Sequence, residues 1–227
     1  MRAVLDLINV LFSPAAVFER VRERPKFLMP ALGVAVVATG LAYLTIPFTR
    51  AAMASRVAQA AQQNPQAAAQ MEKFQSIGLI FAPITVFIGL LVAAGVLWLL
   101  VMLLAGGEAK FKTLLSVATY TALPSLLLQA VGLLVLQMKG ADAVTSIRDL
   151  QPALGLNLLA PSLGGFAGAV LGGINPFAIW SMILTAIGIR VTHKTSKGAA
   201  YTVAIVALLL GVLIRALLVG LGSRGAS

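Results

Sequence analysis

Five apolar stretches dominate the chain, at 27–48, 76–104, 113–138, 163–190 with an interruption, and 199–221, separated by short polar or charged joints. Each is about as long as the ~20 residues that a bilayer core requires. In hydrocarbon the backbone must satisfy its own hydrogen bonds, and long unbroken apolar runs do so as helices. Barrel strands would instead alternate at every second residue. The pattern predicts an all-α, polytopic membrane protein with five transmembrane helices.

Ahead of the first stretch the period changes. Val4, Leu5, Leu7, Ile8, Leu11 and Phe12 recur at helical spacing, with Arg2, Asp6 and Asn9 on the other side. This is a short amphipathic helix, expected to lie flat on the inner membrane surface. Ser13-Pro14 reads as a second helix start, since a cap hydroxyl can accept from free backbone N–H groups and proline fits the first helical position. Val17, Phe18 and Val21 give this helix its apolar side; Glu19, Arg20, Arg22, Glu23 and Arg24 give it its polar one.

Within the membrane domain, 27–221, the joints carry different signals. The Ala- and Gln-rich joint at 49–75, interrupted at Asn64-Pro65, reads as a small helical hairpin outside the bilayer. Gly106-Gly107 makes a tight turn before Lys110-Phe111-Lys112. Pro124, midway along the third stretch, removes a backbone hydrogen bond and predicts a kink. Gly164, Gly168 and Gly172 stand four apart, a spacing that lets another helix approach closely, either a neighbouring span or a second protomer. Asn175-Pro176 repeats the cap-plus-proline pattern. The fourth span is therefore placed at 176–192, with 162–174 a separate helix at or within the outer leaflet; the alternative is one kinked span over 163–190. The expected spans are thus 27–48, 76–104, 113–138, 176–192 and 199–221, between an amphipathic, basic segment at 1–26 and a short tail at 222–227.

Composition narrows the chemistry. The 227 residues are 59% hydrophobic and 11% charged, leaving no room for a sizeable soluble domain. The net charge of +10 follows topology rather than a nucleic-acid footprint. With the N-terminus inside, ten Lys and Arg fall on inner segments against six on outer ones, and Arg215 lies within the last span. The positive-inside rule favours N-in, C-out. The chain has no cysteine, which removes disulfides, thiolate nucleophiles and sulfur-ligated metals.

An ionisable group in hydrocarbon costs at least ~2.5 kcal/mol and is the usual pointer to intramembrane function. Here all seven carboxylates lie in joints or in the N-terminal segment, and the single His193 sits in an inner joint beside Lys194. No catalytic, cofactor-binding or metal-binding set can be named. Asn175, Thr39, Thr45, Thr85, Ser116, Thr119, Tyr120 and Thr185 could line a polar path or bond between helices. Arg20, Arg22, Arg24 and Lys26, with a snorkelling Arg215, are candidates for lipid headgroups. Gly164, Gly168, Gly172, Pro124, Asn175, Pro176 and Trp180 are candidates for helix packing or interaction.

Three stretches together resemble the Ypt-interacting-protein (Yip) family in its prokaryotic form. They are Phe12-Ser13-Pro14 with Val17-Phe18, Val21 and Pro25; Phe111-Lys112 with Leu114-Leu115, Tyr120 and Leu123-Pro124; and Phe177-Ala178-Ile179-Trp180-Ser181-Met182-Ile183-Leu184 with Ile187-Gly188, leading to Ser196-Lys197-Gly198-Ala199-Ala200. The resemblance implies five spans with a cytoplasmic N-terminus and an outward C-terminus. Asn175 stands where the family often has Asp, and the eukaryotic D-L-Y-G-P signature is absent, so Rab binding is not implied here. The expected function is a non-enzymatic scaffold or adaptor in a prokaryotic inner membrane, meeting other membrane proteins, itself, or anionic lipids, but not nucleic acid. The alternative is a small transporter or lipid-handling protein with a pathway near the outer leaflet, at Pro124 and the Asn175-Pro176 break.

Overall fold

The computed structural model describes residues 2–224 apart from 65, 67, 68, 71, 72, 74–77, 79, 80, 107, 151–153 and 161. Nine α-helices follow one another among the described residues: α1 (Arg2–Asn9), α2 (Pro14–Glu23), α3 (Leu28–Gln63), α4 (Ala82–Leu100), α5 (Phe111–Thr121), α6 (Leu123–Lys139), α7 (Gly165–Gly173), α8 (Pro176–His193) and α9 (Lys197–Arg224). A π-turn at Val101–Ala105 ends α4, and short 3-10 turns occupy the joint between α6 and α7.

Four helical segments are long and apolar enough to cross a bilayer: Leu28–Ser55, Ala82–Ala105, Phe111–Lys139 and Lys197–Gly220. The pair α7 and α8, bent by 55° at the break between them, makes a fifth if taken as one broken span. The chain is an all-helical membrane protein with four or five such spans among the described residues.

Several sequence expectations change. Residues 49–63 do not begin a separate hairpin: α3 runs unbroken through Pro47 to Gln63, because Ala and Gln are good helix formers and no breaker intervenes before Asn64. Most of the joint after Asn64 and the start expected at 76 lie outside the described residues. Pro124 does interrupt the third span, where α5 gives way to α6 at Ala122. Residues 165–173 and 176–193 are two helices that meet at a 55° bend, with the break at the expected Asn175-Pro176.

The chain divides into two compact units. The smaller comprises Gly33–Ile88 and Leu126–Pro152. Phe48, Ala52, Leu133, Leu136 and Val144 form its core, with Leu41, Ala51, Ala141 and Leu150 against them. Asp149 ties down its joint, accepting from the backbone N–H groups of Thr145 at 3.0 Å and Ser146 at 2.8 Å. Those bonds hold its carboxyl below the usual carboxylate range.

The larger unit, Met1–Leu32, Gly89–Ser125 and Ala153–Ser227, is organised around α8 and α9. Here α9 packs on α7, on α8 and on the π-turn, while α8 also packs on α2 and α5. Small residues face inward on α9 at Ala200, Ala204 and Ala216, while Ile205, Leu209, Leu213, Leu217 and Leu218 face outward. That sorting suits helices in lipid, where large side chains gain nothing by turning inward and small ones permit close backbone approach.

The break between α7 and α8 restores its own hydrogen bonds. Asn175 Oδ1 accepts from the Ala178 N–H at 3.0 Å, and its Nδ2 donates to the Gly172 carbonyl at 3.3 Å and the Gly173 carbonyl at 3.5 Å. The freed Ile174 carbonyl accepts from Leu156 N–H at 3.1 Å. This matches the predicted cap at Asn175. At Ser13 only the helix start matches, since its hydroxyl makes no cap bond.

The N-terminal helices depart most from expectation. Val17, Phe18 and Val21, the apolar side of the second helix, are buried, Phe18 completely, where α2 packs on α5 and α8. Phe18 meets the Tyr120 ring edge-on, with centroids 6.4 Å apart and planes at 88°, a geometry that adds about 0.5–1.5 kcal/mol beyond area burial. The notch that admits Phe18 is Gly188. A Cβ there would lie 2.8 Å from Val117 Cγ1 and 3.1 Å from Phe18 Cζ.

Two outcomes test this packing. In a Gly188→Leu variant, α2 should come away from α8. A single cysteine at Val17, the only thiol in a chain that otherwise has none, should go from protected to labelled by a membrane-impermeant maleimide; equal protection in both backgrounds would mean that Gly188 is not the notch. Replacing Asn175 by Ala should lower stability in detergent by about 1–2 kcal/mol, the scale of a lost cap. Asn175→Asp keeps the acceptor and should retain most of it, as read by thermal unfolding.

Candidate membrane-face interaction site

At the end of the larger unit where α3 and α5 begin, the N-terminal helix pair is locked in place. Asp6 was expected on the outward, polar side of α1; it is instead buried and held by Arg20, whose Nη2 lies 2.6 Å from Oδ1 and whose Nε lies 3.2 Å from Oδ2. A carboxylate taken from water needs such a partner, and a planar guanidinium supplies two donors at once. Leu7 and Val10 are buried with it, so α1 leans on α2 by this face. Leu5, Ile8 and Phe12 point away and are exposed, Phe12 at 80%.

Two further bonds tie the region together across long stretches of chain. Arg22 Nη1 reaches the Val191 carbonyl at 3.5 Å. His193, expected to be a solvated surface side chain, is partly buried; its Nε2 accepts from the Lys110 N–H at 3.3 Å and its Nδ1 lies 2.8 Å from Thr192 Oγ1. It joins the end of α8 to the start of α5.

Between α2 and the first turns of α3 and α5 lies a cavity of about 670 Å³, lined by Asp6, Arg20, Val21, Glu23, Arg24, Pro25, Lys26, Phe27, Leu28, Met29, Lys112 and Tyr120. Of the sequence-selected basic residues, Arg20, Arg24 and Lys26 meet here. Arg22 turns toward Val191, and Arg215 is exposed far along α9. Lys112 joins the group from a residue nearly ninety positions away, and neither periodicity nor local charge marks it as their companion.

The packing candidates gather elsewhere. Gly164, Gly168 and Gly172 lie along the start and body of α7, with Asn175, Pro176 and Trp180 at the start of α8. The glycine spacing serves this chain's own backbone. A Cβ at Gly168 would collide with the Leu163 carbonyl oxygen, and one on Gly155 would lie 2.8 Å from the Gly172 oxygen. On the α9 side, Gly173 admits Val212, and Gly220 faces Phe166. Pro124 stands apart, at the α5–α6 interruption.

The hydroxyls considered for a polar path mostly turn back on their own helices. Thr45, Thr85, Ser116, Thr119 and Thr185 each donate to the carbonyl four residues earlier, at 2.7–3.1 Å. A carbonyl one turn back lies within reach of a β-hydroxyl, which satisfies its donor within the helix.

Among the described residues no three His, Cys, Asp or Glu side chains come together in a way that could hold a metal ion. Residues 8–218 match the Yip1 domain family. The chain is 33% identical over 215 residues to "Membrane protein YknW" of Bacillus subtilis (strain 168), covering 92% of this chain and 87% of that one. No solved structure matches. A domain match over nearly the whole length, a relative of this identity and four or five apolar helices agree, and the chain belongs to the Yip1 domain family of integral membrane proteins.

Proposed function

We propose that the protein is a non-enzymatic adaptor of a prokaryotic inner membrane, with the docked α1–α2 pair presented on the cytoplasmic side to other membrane proteins. The observation that carries this reading is the complete burial of Val17 and Phe18 against α5 and α8. An amphipathic helix that merely coats a bilayer would spend these residues on lipid. Here they fix α2 as a ledge, with Glu19, Glu23 and Arg24 facing outward in a chain otherwise poor in charge. Mixed charges on a rigid element select partners by complementarity more than they add affinity. The exposed Leu5 and Ile8 on α1, with Phe12 in the turn after it, add an apolar anchor beside it.

Purification of the full chain from its native membrane in mild detergent, followed by mass spectrometry of what is retained, tests the reading. A protein partner near one-to-one, lost in Glu19→Lys and in Phe18→Ala but kept in the parent, is the expected result. A chain that purifies alone in every background overturns the adaptor.

A second reading, a path for a solute near the outer leaflet, is favoured by two polar atoms. Asn157 Oδ1, beside Gly172, and Ser181 Oγ, in the second turn of α8, are buried with no hydrogen-bond partner. Such atoms are costly unless something meets them. This reading predicts solute-dependent protection of single cysteines placed at Asn157 and Ser181; labelling that no solute changes would count against it.

A further inference from the structure

The cavity beneath α2 has a composition that the adaptor role does not require. Four basic side chains line it, Arg20, Arg24, Lys26 and Lys112, against two acids, Asp6 and Glu23. Asp6 is taken up by Arg20. That leaves Arg24, Lys26 and Lys112 facing Glu23 alone, and among the described residues none of the three has an ion-pair partner. Like charges gathered in one cavity repel unless an anion sits among them.

Two helices add to the same field. Leu28 and Met29 belong to the first turn of α3 and Lys112 to the first turn of α5, so both helix starts border the cavity. The first N–H groups of a helix have no partner within it, and its dipole is positive at that end. Phosphate groups bind at such ends with backbone N–H groups directed at their oxygens.

The remaining wall is apolar. Phe27, Leu28 and Met29 line it where the chain becomes a membrane-crossing helix, and Leu28 and Met29 are 54% and 60% exposed. A site for a soluble phosphate ester has no use for an exposed apolar wall; a lipid has its headgroup and its chains in this arrangement. We propose that the cavity holds the phosphate of an anionic phospholipid headgroup, with the acyl chains lying along Leu28 and Met29. At about 670 Å³ it falls in the size range of small-molecule sites. Arg24 is shared with the outward face of α2, whereas Lys112 takes part neither in that face nor in docking α2, so Lys112→Gln alone separates this site from the adaptor reading.

Native mass spectrometry of the full chain in detergent, titrated with phosphatidylglycerol or with phosphatidylcholine of identical chains, tests the site. The parent should retain one phosphatidylglycerol in preference to phosphatidylcholine. Arg24→Gln with Lys112→Gln should weaken that retention about tenfold or more, on the scale of two headgroup contacts. Lys112→Gln alone should give a smaller loss, and so keeps the test valid if the double variant is poorly folded. Arg190→Gln with Lys194→Gln, which also removes two charges but not from the cavity lining, should leave the preference intact. An undiminished preference in the cavity variants, or an equal fall in the control, overturns the proposal. Inorganic phosphate that binds the parent with no preference between the two lipids would assign the cavity to a soluble phosphoanion and overturn the lipid.

Discussion

A helix broken inside hydrocarbon must return every backbone hydrogen bond it gives up, since no water is there to do so. The larger unit is arranged around one such repair. Asn175 caps α8 through Ala178 and reaches back to the last carbonyls of α7, while Leu156 takes the Ile174 carbonyl. With the break closed, α7 can bend away by 55° and lie on α9, and α8 can start afresh at Pro176. The starting point of α8 decides which residue faces α2 three turns later, and that residue is Gly188. The notch for Phe18 is thus a geometric consequence of a cap thirteen positions earlier.

The parts legible in the sequence are those that a single helix settles for itself. Long apolar runs, proline after a capping residue and the interruption at Pro124 all act within a few residues, and the structure reproduces them. What could not be read concerns partners. The Val17–Phe18–Val21 stripe fits lipid and protein equally well, because an apolar face does not name what it meets. Asp6 looked like an outward polar residue because its period matched the polar side; a guanidinium fourteen positions away turns it inward. Gly188 carries no periodic signal, and its role appears only when Val117 and Phe18 are brought against it. The extension of α3 to Gln63 was hidden for another reason: a drop in hydropathy marks the end of the bilayer, not the end of the helix.

Small residues have two distinct duties here. On α9 the alanines let helices lie close over a long face, whereas Gly155 and Gly168 let backbone touch backbone directly. Of the glycines at 164, 168 and 172, Gly168 is the one whose Cβ would collide with backbone.

The docking of α2 also orders events during synthesis. Arg22 and the carbonyl it contacts on Val191 are 169 positions apart, and Phe18 needs Val117, Tyr120 and Gly188 in place together. At about 5–20 residues per second, the N-terminal helices wait on the order of 10–30 s before their binding groove exists. During that interval Val17, Phe18 and Val21 lack the protein surface that buries them in the finished fold. The docked form of α2 is thus complete only when the fourth apolar stretch, with Gly188, has been made.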